Sequence, residues 1–151
     1  MKRKKLSNAA IGLLAGVLMI CMSGYLAAQV SLTTFSSAYT QDFNTLVNTG
    51  SSSTLPTGWA LFETGTLANT TYTASDGSAN TGDTYSYGAT SSTDRAFGEL
   101  LSGSLTPTIG CSFQNNTGGA ISSIAVAYMG EMWRLGDNSG RIDRIDFQYS
   151  L

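Results

Sequence analysis

The chain of 151 residues contains no histidine, and only 12% of its residues are charged. Without an imidazole there is no histidine general base, no Ser-His-Asp triad and no histidine-ligated metal. Cysteine is scarce too. Of the two present, Cys21 falls in the leader described below, so Cys111 has no partner for an internal disulfide. Its place in an apolar strand pattern reads as a small buried residue, and no basic neighbour is there to lower its pKa. Lysine is confined to Lys2, Lys4 and Lys5, and beyond residue 28 four arginines face ten acids, a net charge of −6. A nucleic-acid partner needs a basic face to neutralise phosphates, and this surface offers none.

The first 28 residues have their own composition. Lys2, Arg3, Lys4 and Lys5 precede an uncharged apolar stretch over 9–22, and Ser23, Gly24, Tyr25, Leu26, Ala27 and Ala28 form a small-residue exit. This is the three-part layout of a bacterial secretory signal peptide, with cleavage expected after Ala28. The alternative is an uncleaved membrane anchor, since 9–28 is long enough to span a bilayer. Either way the domain over 29–151 is exported, to the periplasm, the cell surface or the medium. A lipid attached at Cys21 is disfavoured by the bulky Met19 and Ile20 before it.

In that domain Ser, Thr, Gly and Asn make up close to half of the residues, and no helical stripe is present. Aromatic and β-branched residues recur between turn-rich stretches, which predicts an all-β, antiparallel, jelly-roll-like β-sandwich. Strands are expected at 39–46, 59–62, 70–73, 84–87, 95–97 and 108–113. Residues 51–54 read as a flexible loop. Near the C-terminus Ile124, Val126 and Tyr128 alternate with small residues, and Ile145, Phe147 and Tyr149 alternate with polar ones. That period of two predicts strands over 121–129 and 144–150, with another over 132–135. Because the last and best-patterned strand ends without a turn or polar tail, the sandwich is expected to be incomplete, truncated at its C-terminus.

Several motifs occur in a familiar order. Tyr39-Thr40-Gln41-Asp42-Phe43-Asn44 is followed by Leu55-Pro56-Thr57-Gly58-Trp59, then Thr84-Tyr85-Ser86-Tyr87-Gly88, Asp94-Arg95-Ala96-Phe97-Gly98, Gly130-Glu131-Met132-Trp133-Arg134 and Arg144-Ile145-Asp146-Phe147. From residue 39 onward the chain resembles a β-sandwich module found at the front of bacterial secreted and cell-surface proteins, often followed by nuclease-like, lamin-tail-like or sorting domains. The resemblance implies a secreted sandwich and carries no catalytic residues with it.

Candidate site residues are few. On a strand, Glu131 and Trp133 share one face, a pairing that suits stacking of a sugar ring beside a carboxylate that binds its hydroxyls. Trp59 is a second aromatic of this kind, and core packing is the competing role for both. Calcium is the one metal that oxygen ligands alone would hold, with Asp137, Asn138 and Asp143 as candidate ligands; no other cofactor is expected. No pair of acids stands out as a glycosidase dyad, and aspartates beside turns, such as Asp76 and Asp83, are explained by bonds to their own backbone. Asp94 with Arg95 and Arg144 with Asp146 read as surface ion pairs. Asn69-Thr70-Thr71 and Asn115-Asn116-Thr117 match a glycosylation acceptor pattern by abundance of Asn and Thr.

Together these features predict a non-enzymatic exported module with an adhesion or carbohydrate-binding accessory role. Two alternatives stay open: the non-catalytic front of an extracellular hydrolase or nuclease, and a membrane-anchored structural surface protein.

Overall fold

The computed structural model describes residues 28–135, 140 and 144–151. Every regular element in it is a strand: β1 (Val30–Leu32), β2 (Ser51–Ser52), β3 (Trp59–Thr64), β4 (Tyr72–Ser75), β5 (Asp83–Tyr87), β6 (Ala96–Leu100), β7 (Thr106–Cys111) and β8 (Phe113–Asn115). The leader up to residue 27 and the calcium candidates Asp137, Asn138 and Asp143 lie outside the described residues.

The expected all-β sandwich is formed. A four-stranded sheet in the order β2-β4-β5-β6 packs on the antiparallel pair β3-β7, while β1 and β8 form a parallel pair at one end. The sheets are mixed rather than purely antiparallel, because β4 runs parallel to β5. In β3 the inward positions are Trp59, Leu61 and Glu63, and the register sets them opposite Cys111, Ile109 and Pro107. From the facing sheet Tyr72 and Phe97 meet them, joined by Leu46 and Phe43. Phe43 lies edge-on to Trp59 at 4.6 Å, and Phe97 contacts Phe43, Trp59 and Tyr72. Edge-to-face contact adds to simple burial for such rings. The fully buried Tyr72 also needs its hydroxyl satisfied: it donates to the Thr54 carbonyl and accepts from the Val47 amide.

Among the described residues two ionic groups are buried without a charged partner. Glu63, 7% exposed, occupies an inward slot of β3 and accepts from the Thr84 amide, the Thr84 hydroxyl and the Asn69 amide. Its carboxylate thereby ties the small sheet to β5. Arg95 is 4% exposed, not part of a surface ion pair with Asp94. Its Nε donates to Ser86 Oγ, and its terminal nitrogens donate to the carbonyls of Ala89, Ser75 and Ser86. The expected Arg144–Asp146 pair does lie on the surface, at 2.7 Å.

The strand expected at 39–46 is a turn instead. Asp42 accepts from the Asn44 amide, Phe43 adopts a positive φ of 61°, and the Leu46 amide returns to the Phe43 carbonyl. Short polar side chains that bond their own backbone compete with extended structure here. The expected loop at 51–54 contributes β2, held to β4 by pairing of Ser51 with Thr73. The expected strand at 108–113 breaks at Ser112, whose amide donates to Gly58 and whose carbonyl accepts from Val30. Chain pairing therefore switches from β3 to β1 at that residue.

No strand forms over 121–129, 132–135 or 144–150, against expectation. Alternation prepares a segment for a sheet, but a strand also needs a neighbour to take its backbone hydrogen bonds. None of the eight strands pairs with these segments. Tyr128 and Phe147 stack on each other at 6.5 Å, while Val126, Phe147 and their alternating neighbours stay exposed.

These burial differences set the expected energetics. Tyr72→Ala costs about 3–5 kcal/mol of unfolding free energy, whereas Val126→Asp and Phe147→Asp stay within about 0.5 kcal/mol of the parent. Urea unfolding midpoints check both, and a large loss at Val126 or Phe147 would show those side chains to be buried in solution.

Candidate functional site

Strand β5 lies between β4 and β6 and is buried on both faces. Thr84 and Ser86 turn inward to Glu63 and Arg95, so the alternation sends Tyr85 and Tyr87 to the opposite face of the sheet. Those two rings contact each other at 5.2 Å. Gly98 leaves room for them, since a Cβ there would meet the Tyr87 ring at 3.0 Å. Burial pushes the Tyr87 phenol up to about 12, with the neighbouring Tyr85 adding to the shift.

Trp133 covers this face. Its indole is half-buried and stacks nearly parallel to Tyr87, with ring centres 6.2 Å apart and planes 6° from parallel. The indole N–H donates to Glu131 Oε2 at 2.8 Å, so the structure brings Glu131 and Trp133 together although no strand carries them. Next along the chain, Arg134 donates to the carbonyls of Gly77 and Ser78. Gly77 is required for this contact: its φ is +90°, and a Cβ would fall 2.1 Å from the Trp133 carbonyl oxygen. Trp59 is not part of the site. It is committed to the core against Phe43 and Phe97, and its N–H donates to the Tyr39 hydroxyl.

The loop that receives Trp133 is internally braced. Asp76 Oδ1 accepts from the amide and hydroxyl of Ser78, Oδ2 accepts from Thr90, and Ser75 Oγ accepts from the Gly77 amide. The Ser78 hydroxyl is the main reason the Asp76 carboxyl is held below its ordinary value. The same loop borders a groove of about 300 Å³ whose lining includes Asn48, Thr49, Asp76, Ser78, Thr90 and Arg95. Sequence reasoning missed this groove, because its residues come from three separate turns.

A second pair of acids, Glu63 and Asp83, converges where β3 meets β5. Asp83 accepts from the Thr84 amide and from the Asn69 side chain. Partial burial raises its pKa, the Glu63 charge adding to the effect. Glu63 is buried as well as having both oxygens taken by donors, which is the arrangement of a structural carboxylate rather than one turned toward a substrate. Among the described residues no group of three or more acids or cysteines is placed to hold a metal ion. Cys111 is half-buried, and burial raises its thiol.

No family model, curated protein or solved structure matches the chain.

Two outcomes test this geometry. Gly77→Ala should displace Trp133 and shift its fluorescence to the red, a change absent when Trp133→Phe is added; an unshifted spectrum contradicts the docking. For Asp83 the folded pKa lies above the ordinary 3.8, so its contribution to stability is full below that value and is lost as pH rises through the raised one. Asp83→Asn, which keeps the acceptor oxygen, should therefore stabilise the fold at neutral pH relative to pH 3, as read from urea midpoints at both.

Proposed function

We propose that this chain is an exported, non-catalytic β-sandwich module with an adhesion or accessory role at the bacterial cell surface or outside the cell, and that its ligand class is carbohydrate. The observation that carries this is the fixed Trp133 indole, backed by Tyr87 and tethered through its N–H to Glu131. An aromatic ring held in place on a half-exposed surface offers an apolar plate to the C–H face of a sugar. Little ordering entropy remains to oppose binding there.

The charge distribution supports the same choice of partner. Arg95 is 4% exposed and turns four of its five N–H groups to protein oxygens, Arg134 is engaged with the Gly77–Ser78 backbone, and Arg144 is paired with Asp146. A phosphate backbone therefore meets few available cations on an acidic surface.

Glycan-array binding of the purified protein tests the proposal. Trp133→Ala should strongly weaken binding while circular dichroism remains that of the parent, and Trp133→Phe should retain more of it. Absence of binding by the parent, or binding unchanged in Trp133→Ala, would contradict it.

A further inference from the structure

Beside the Trp133 plate, the groove behind the Asp76–Ser78 loop has a composition of its own. We propose that it is a subsite for a single neutral hexopyranose ring, a proposal that rests on the carbohydrate reading above and names its recognition chemistry. Its volume of about 300 Å³ lies at the lower end of small-molecule clefts, which run from roughly 300 to 1,000 Å³. That is room for one ring and not for a chain of them. A second groove, bordered by β1, holds only about 140 Å³.

Sugar hydroxyls donate and accept at once, so a site that reads them must present both kinds of partner side by side. This groove does. Asp76 supplies a carboxylate braced by Ser78 and Thr90, and the hydroxyls of Ser78, Thr49 and Thr90 border it. Arg95 supplies the positive charge at its base. A guanidinium has five N–H donors, and four bonds account for its Nε, one hydrogen of Nη1 and two of Nη2. One Nη1 hydrogen remains for a ligand oxygen. No carboxylate salt-bridges Arg95 among the described residues, and its hydrogen bonds run to backbone carbonyls and to the Ser86 hydroxyl.

The balance of charges selects for neutrality. A uronate would be drawn to Arg95 but repelled by Asp76, and a cation the reverse; a neutral ring bridges both without penalty. Rigidity comes from the backbone. Gly88 permits Arg95 to lie flat across it, since a Cβ there would fall 2.4 Å from Nη1. The Asp76–Ser78 loop is pinned by Trp133 and Arg134, so the plate and the groove are held by one element.

NMR titration of the full chain with methyl β-D-galactopyranoside, methyl β-D-glucopyranoside, methyl α-D-mannopyranoside and sodium galacturonate is the test. At least one neutral glycoside should shift the amides of Asp76, Ser78 and Thr90. Asp76→Asn keeps the Oδ1 acceptor that braces the loop but removes the charge, and should weaken that binding about tenfold or more. The same shifts should persist in Trp133→Ala. If shifts occur only at the Trp133 indole and vanish in Trp133→Ala, the groove proposal fails while the carbohydrate reading stands. If no neutral glycoside shifts the groove amides, or galacturonate binds them more tightly, the subsite as stated is wrong.

Discussion

The arrangement depends on a buried guanidinium that meets no carboxylate among the described residues. Arg95 joins the carbonyls of Ser75, Ser86 and Ala89 and the hydroxyl of Ser86, so one side chain fastens the ends of β4 and β5 and the turn that follows. A charge removed from water is tolerable only when most of its donors are satisfied, and here backbone dipoles do that work in place of an anion. The planar fork of arginine suits this role where an ammonium would not, because several donors must reach separate oxygens in one plane. Glu63 does the complementary task between the layers, accepting three donors from β5 and the Asn69 turn. A charge-poor chain thus spends two of its few ionic groups inside the fold.

From these anchors the functional face follows. With Thr84 and Ser86 drawn inward, Tyr85 and Tyr87 must face outward, and that aromatic surface is what Trp133 rests on. The loop over 75–79 is held by Trp133 and Arg134 and also bounds the polar groove. Aromatic plate and hydroxyl-lined groove therefore share one braced loop.

Much of the layered fold was legible in the residue pattern. β3, β5, β6 and β7 coincide with segments where apolar or aromatic residues alternate between turn signals, and the pairing of Trp59, Leu61 and Glu63 with β7 continues that period. Glu63 itself could have been found, because it falls on the inward phase of β3. Other features were not legible, for definite reasons. Asp42 and Asn44 divert 39–46 into a turn through side-chain bonds whose strength against extension is not written in the hydropathy. The tail segments satisfy the period of two yet remain unpaired, which shows that alternation alone is insufficient for a strand. Arg95 looks like a partner for Asp94 because the two are adjacent, and only the fold reveals that its side chain enters the sheet end. Trp59 and Trp133 are equivalent as letters; Phe43 and Phe97 claim the first and Tyr87 displays the second.

The most direct measurement is the urea unfolding free energy of Arg95→Lys. This change keeps the positive charge and removes the fork, so a cage of carbonyls predicts a loss of about 2–4 kcal/mol. An exposed ion pair with Asp94 would instead be nearly indifferent to the exchange, within about 0.5 kcal/mol, and that result would contradict the account.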